Sequence, residues 1–222
     1  MKIQKITLII VLWMTCLTSW GQAYNFEKVS LEEGLSQSSV NAIVQDKIGF
    51  LWVGTQDGLN RYDGYDFRVF KKQPFDSTSL ATNFITSLLI DSKNNLWIGT
   101  LSGGLHLYLP EKESFIQFDN SVDSKVHSNI TSLYEDRNGM IWVGTAQGFG
   151  QLDLWWEKDE PKIKFSPRIY PSELQELFPS DQYVKTLFYD QKDRLWVGTL
   201  NGLFCFKVLI DGELEFIKKY FK

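Results

Sequence analysis

Four aspartates stand at one fixed distance from four tryptophans. Asp46, Asp91, Asp136 and Asp190 each lie six residues before Trp52, Trp97, Trp142 and Trp196. Carboxylates are the usual groups for general acid–base chemistry, but a carboxylate that recurs at one position of a repeat reads as scaffold. Each Asp is followed three residues later by Gly49, Asn94, Gly139 or Asp193. Those types tolerate a left-handed backbone, and an Asp side chain can accept from its own backbone two residues on, so each segment reads as a tight hairpin turn. A glycan lyase or hydrolase, the alternative to a binding protein, would need unrepeated acids. Asp57 and Asp181 are the obvious ones, and nothing pairs them in the sequence. His106 falls in an apolar run and His127 in a loop. Neither has a Cys, His or carboxylate at ligand spacing, so both read as structural and no metal or other cofactor is expected. Two cysteines, Cys16 and Cys205, are too few for a disulfide framework or a multi-cysteine zinc site, and Cys205 in its apolar run reads as a buried inert thiol. Arg61 could hold loops together through bidentate bonds, with a ligand role second. Trp155-Trp156 is unrepeated and precedes a charged stretch. It reads either as a platform for a sugar ring or, more simply, as packing.

The elements that position these residues are repeats. Leu51-Trp52-Val53-Gly54-Thr55 recurs as Leu96-Trp97-Ile98-Gly99-Thr100, Ile141-Trp142-Val143-Gly144-Thr145 and Leu195-Trp196-Val197-Gly198-Thr199. An apolar run precedes each Asp, and a second glycine (Gly58, Gly104, Gly148, Gly202) follows each Gly-Thr. Another apolar run and an aromatic-rich one come after it, as in Phe67-Arg68-Val69-Phe70 and Phe115-Ile116-Gln117-Phe118. Four short strands in about 45 residues is the arithmetic of a β-propeller blade. The expected fold is therefore all-β, with blades near 35–72, 80–120, 126–166 and 180–220. The recurrent Trp belongs between blades, and Gly54, Gly99, Gly144 and Gly198 permit close approach there.

Composition agrees. The 222 residues are 43% hydrophobic and 15% aromatic with only 6 Pro, which suits a packed β protein. A net charge of −4 without a basic stripe argues against nucleic acid as a partner. Residues 1–23 read as a secretory signal peptide: Lys2 and Lys5, an apolar stretch from Ile6 to Leu17, then Gly21-Gln22-Ala23 as a cleavage site. No later run approaches the ~20 apolar residues of a spanning helix, so no membrane span is expected in residues 24–222.

The frame Asp-x-x-Gly-x-(Leu/Ile)-Trp-(Val/Ile)-Gly-Thr followed by Gly-Leu resembles the two-component regulator propeller repeat. Gly34-Leu35-Ser36, Val40-Asn41-Ala42-Ile43 and Gly58-Leu59-Asn60-Arg61-Tyr62-Asp63-Gly64 resemble the first blade of the periplasmic sensor half of hybrid two-component systems. The resemblance covers residues 24–222. It implies a periplasmic propeller that senses a small carbohydrate, with no kinase module in these residues. It also implies partners: further propeller blades and downstream sensor domains, or a second copy.

Hairpin connectivity puts the Asp turns on one face of the propeller. The loops after Gly-Thr and the connections between blades fall on the other. That second face carries residues that differ between repeats, and variation on a fixed scaffold is where binding usually sits. The candidate ligand residues are Gln56, Asp57, Ser102, Gln147 and Asn201 in the Gly-Thr loops, Asn83 and His127 in the connections, and Arg61. Ser38, Asn129 and Asp181 also fall in these connections, and Pro171–Pro179 reads as one or two turns of helix. Phe26-Glu27-Lys28-Val29 reads as an orphan outer strand. Seven blades need about 315 residues, so four blades are expected to form an open ring with apolar end faces that drive self-association.

Overall fold

The computed structural model describes residue 26 and residues 28–118, 126–158, 160–168, 183–209 and 212–220. The proposed signal peptide, Asp181 and the Pro171–Pro179 segment lie outside the described residues. The described residues contain no helix and form four antiparallel sheets of four strands each. Blade 1 is β1 Val40–Gln45, β2 Leu51–Thr55, β3 Gly58–Tyr62 and β4 Phe67–Phe70. Blade 2 is β5 Ile85–Ile90, β6 Leu96–Thr100, β7 Leu105–Leu109 and β8 Ser114–Phe118. Blade 3 is β9 Ile130–Glu135, β10 Ile141–Thr145, β11 Gly148–Glu157 and β12 Glu160–Pro167. Blade 4 is β13 Val184–Tyr189, β14 Arg194–Thr199, β15 Gly202–Val208 and β16 Leu214–Tyr220. In every blade the strands pair in chain order, and the first strands β1, β5, β9 and β13 lie against one another.

The expected Asp turns close the first hairpin of each blade. Gly49, Asn94, Gly139 and Asp193 all have positive φ, from 57° to 108°. Asp46 Oδ1 accepts from the backbone N–H of Ile48, Gly49 and Phe50, and the other three aspartates repeat the bonds from the second and fourth residues on. The second carboxylate oxygen does something the turn pattern alone does not suggest. It accepts from the indole Nε1 of the tryptophan six residues on, at 2.8, 3.0, 3.0 and 2.9 Å in blades 1 to 4. One carboxylate thus satisfies the turn and fixes the indole.

The fixed indoles fill the seams between blades. Trp52 packs against Ile85, Leu88 and Ile98 of blade 2. Trp97 packs against Ile130, Leu133 and Val143 of blade 3, and Trp142 against Val184, Leu187 and Val197 of blade 4. The glycine two residues after each Trp is where the next first strand comes closest. A Cβ on Gly54 would lie 2.6 Å from Ile85 Cγ2, one on Gly99 2.6 Å from Ile130 Cγ2, and one on Gly144 2.9 Å from Val184 Cγ1. Side chains cross every seam: Asn41 Nδ2 donates to Ile85 O and Thr86 Oγ1 to Ile130 O, both at 2.7 Å, and between blades 3 and 4 Tyr134 Oη donates to Tyr189 O at 3.1 Å while Ser132 Oγ accepts from Leu187 N–H at 3.0 Å.

The orphan strand is not formed. Phe26 is 94% exposed, and Phe26 and Lys28–Ser30 are not in a strand, because each of the four sheets has its outer strand from its own blade. The chain then turns at 31–34 and lays Leu35 onto blade 1. Ser36 N–H donates to Asn60 Oδ1 at 2.9 Å, and Ser36 Oγ lies 2.9 Å from Thr55 Oγ1.

Candidate ligand face

Each Gly-Thr threonine closes the loop that follows it. Its Oγ1 donates to the carbonyl of Gly58, Gly104, Gly148 or Gly202 at 2.7–3.0 Å, and in blades 1, 3 and 4 it accepts from the N–H of Asp57, Gln147 or Asn201. The glycine φ values of 75–133° make the turn possible. Each loop is then pinned to the connection entering a blade: Gly58 N–H donates to Asn83 O, Gly104 N–H to Ser128 O, Ala146 N–H to Asn129 O and Leu200 N–H to Tyr183 O. Loops and connections therefore share one face, opposite the Asp turns, as the connectivity requires.

The structure brings seven of the eight candidates onto that face, in different states. Gln56, Gln147 and Asn201 are exposed. Asp57 and Asn83 are joined to each other and to the scaffold. Asp57 accepts from Lys71 Nζ at 2.6 Å and Asn83 Nδ2 at 3.0 Å, while Asn83 Oδ1 accepts from Lys72 N–H. The bond from Lys71 holds the Asp57 carboxyl below the usual carboxylate range against the opposing effect of burial, with the Lys71 charge and Asn83 adding to it. Ser102 has φ 68°, and its N–H and Oγ both donate to Asn129 Oδ1. His127 Nδ1 accepts from Asn129 N–H at 3.0 Å.

Arg61 does not join this group. It lies toward the Asp-turn end of the first seam, its guanidinium 4.8 Å from the Phe50 ring, 3.5 Å from Tyr108 Oη and 3.6 Å from Glu113. The strand register decides this, because Arg61 is opposite Trp52, next to the turn that fixes the indole. Arg68 on the neighbouring strand completes the clamp by pairing with the same Glu113.

His106 is a core histidine. It is fully buried, Nε2 accepts from Ala81 N–H at 3.1 Å, and burial lowers its pKa from 6.5 to about 4. Its Nδ1 has no partner among the described residues. It occupies the position of Asn60 in blade 1, which makes the same kind of bond to Ser36. Cys205 is buried and free, and burial raises its thiol pKa. Trp155 and Trp156 are not packed away. They are 46% and 51% exposed, because β11 and β12 are the longest strands of blade 3 and the pair lies at their far hairpin end.

Two clefts escaped the sequence reading. One, of about 390 Å³, lies along the connection from blade 1 to blade 2 and is lined by Lys72, Gln73, Asp76, Ser79 and Gln117. The other, of about 490 Å³, lies between the Leu109–Lys112 turn and Trp156. Neither has a repeated signature; the unrepeated Trp156 was the one available signal. Among the described residues no cluster of His, Cys, Asp and Glu could hold a metal ion.

The two component regulator propeller family model matches residues 34–57, 79–102, 124–147 and 178–201, one match per blade entry. A 65-residue stretch, 29% of this chain, is 49% identical to Histidine kinase P4 of Formosa agariphila and covers 5% of that protein. Among solved structures, the extracellular domain of the hybrid two component system BT3049 from B. thetaiotaomicron superposes with a TM-score of 0.70 at 26% identity, covering 88% of this chain and 27% of that one. The extracellular domain of BT4673 from the same organism shares the fold, with a TM-score of 0.65 at 18% identity over 89% of this chain and 28% of its own. The chain thus spans about a quarter of these solved domains and a much smaller share of the kinase.

Proposed function

We propose that this chain, built from two-component regulator propeller repeats, is the ligand-binding propeller of an exported sensor that takes a small saccharide on its Gly-Thr-loop face. The observation that carries the reading is the division of labour within each repeat. Asp, Trp, Gly and Thr make the same bonds four times, while the loop residue two after the threonine changes from Asp57 to Ser102, Gln147 and Asn201. Amides and a hydroxyl on a rigid frame suit a neutral, hydroxyl-rich ligand, since each can both donate and accept. The extracellular placement of the BT3049 domain supports export, and the N-terminal sequence of residues 1–23 supports a periplasmic site of action. Kinase output would belong to parts of a signalling system other than these blades. A ligand bridging two Gly-Thr loops would load the seam beneath them, which is a physical route from binding to a change in blade packing.

Thermal shift against a panel of neutral oligosaccharides tests the proposal. At least one member should raise the melting temperature, and Gln147→Ala with Asn201→Ala should remove that shift. A folded sample that no member stabilises would sink the saccharide reading.

A further inference from the structure

Three seams among the described residues are built alike, and two blade faces are left uncovered by those residues. The side of each blade that bears Trp faces the next blade. The other side faces the previous blade and bears the first and fourth positions of the first strand. On blades 2 to 4 those positions are Ile85, Ile130 and Val184, each 0% exposed, and Leu88, Leu133 and Leu187, at 5–8%. Their counterparts on blade 1, Val40 and Ile43, are 40% and 60% exposed. The Trp side shows the same contrast. Leu59, Leu105 and Phe149 are buried, whereas Leu203 at the same register is half-buried and Phe188, opposite Trp196, is 54% exposed. Gly198, unlike Gly54, Gly99 and Gly144, meets only Thr186 of its own blade.

We propose that these two uncovered faces are the halves of one more seam and that two copies of the chain join head to tail through them. The interior seams supply the template: Val40 of one copy goes against Gly198 of the other, and Ile43 against Trp196. The charges agree. Across the first seam Arg68 of blade 1 pairs with Glu113 in the β7–β8 hairpin of blade 2. Lys218 holds the register position of Arg68, since it is opposite Cys205 as Arg68 is opposite Arg61. The β3–β4 hairpin of blade 1, equivalent to the one that carries Glu113, contains Asp63 and Asp66. Lys185 stands where Asn41 and Thr86 donate across their seams, with the Val40 carbonyl of the other copy as acceptor. Like-to-like pairing is disfavoured, because it sets Lys185 and Lys218 against themselves, or Asp63 and Asp66 against themselves. The contact is therefore heterologous. It is independent of the ligand reading, which concerns a different face.

Light scattering on the purified chain tests this. The expected mass is that of two or more chains, falling to one on dilution. Ile43→Asp and Phe188→Asp each remove one half of the contact at an exposed position, so each variant alone should be monomeric with a melt close to that of the unaltered chain. Mixing the two should restore a species of two chains, because each supplies the half the other lacks. A second pair covers loss of folding: Lys218→Glu should weaken association, and Asp66→Lys in the same chain should restore it. A monomeric unaltered chain, a single variant that still associates, or a mixture that stays monomeric would each overturn the proposal.

Discussion

Trp142 and Trp196 are the same residue in the same local frame, yet they end in different surroundings. Each indole donates to an aspartate six residues back, at 3.0 and 2.9 Å. Trp142 is fully buried under Val184, Leu187 and Val197, while Trp196 is half-covered and leans on Tyr220 of its own blade. The Asp–indole bond thus orients the ring locally, and the next blade supplies the burial. Burial is the larger share of the difference between the two, since apolar area removed from water drives folding and the Trp142 ring alone is fully removed from it. The carboxylate at the open face also has a cation beside it, Arg194 at 2.6 Å. Burial raises the Asp190 carboxyl, but bonds from Arg194 and Trp196 and from two backbone N–H groups outweigh it and hold the group well below the carboxylate range.

The largest expected effect follows from that difference. Trp142→Ala should cost about 3–5 kcal/mol in urea unfolding, the range for an aromatic removed from a packed core. Trp196→Ala should cost well under half of that in a monomeric background such as Ile43→Asp. Equal costs would break the comparison, because they would place the stabilisation in the Asp–indole bond and not in the seam.

A second test uses pH. His106 is neutral in its seam, with a pKa lowered by burial from 6.5 to about 4. Between those values the unfolded chain binds a proton that the folded chain does not. Stability should therefore be level above pH 6.5, fall as pH drops toward 4, and lose nothing further from this group below that. The loss is on the order of 3 kcal/mol from the linkage of one such group. His106→Asn, which copies Asn60 of blade 1, should flatten this slope. A slope unchanged in the variant would show that other groups carry the acid sensitivity.

Much of the scaffold was legible because it recurs. The Asp turns, their left-handed third residues, the seam position of Trp and the close approach at Gly54, Gly99 and Gly144 all follow from residue types at fixed spacing. The Asp–indole bond was not foreseen, although the constant six-residue interval carried its signal. What stayed illegible depends on neighbours that do not repeat. Arg61 was grouped with the ligand candidates, and the strand register puts it opposite Trp52, toward the other face. Phe26-Glu27-Lys28-Val29 looked like a strand, and Phe26 and Lys28–Ser30 pair with none of the four sheets. Trp155 and Trp156 looked like packing, and the length of one hairpin decides that they are exposed. The cleft beside Gln73 and Gln117 is lined by the connection from blade 1 to blade 2, whose residues do not follow the repeat, so no periodicity could reveal it.

Glycine gives a smaller version of the tryptophan test. Gly99→Ala forces a Cβ onto the buried Ser87 Oγ of its own blade and to within 2.6 Å of Ile130 Cγ2, a buried side chain of the next blade, and should cost about 1–3 kcal/mol by overpacking. In Gly198→Ala the nearest atom is Thr186 Cγ2 at 2.8 Å, on an exposed side chain that can turn away. Its cost in a monomeric background should stay within about 0.5 kcal/mol, as for a surface change. In the associating chain Gly198→Ala should also weaken self-association, because there Val40 of the other copy takes the place of Ile130.

The smallest effect on stability is expected where function is proposed. Gln147 and Asn201 are exposed, and the loop geometry beneath them rests on backbone N–H donation to Thr145 and Thr199, which an alanine keeps. Gln147→Ala and Asn201→Ala should each change unfolding free energy by no more than about 0.5 kcal/mol. Asp57→Ala should differ from both. It strands Lys71 and releases Asn83, in the connection into blade 2, from the blade 1 loop, so it should lower the melting temperature even without ligand. If Gln147→Ala and Asn201→Ala destabilise the free protein as Asp57→Ala does, the Gly-Thr face is scaffold throughout, and the separation of frame from variable loop fails. If they leave the melt unchanged and abolish the saccharide shift, the two roles occupy different atoms of the same hairpin, the threonine hydroxyl holding the loop and the side chain two residues on reading the ligand.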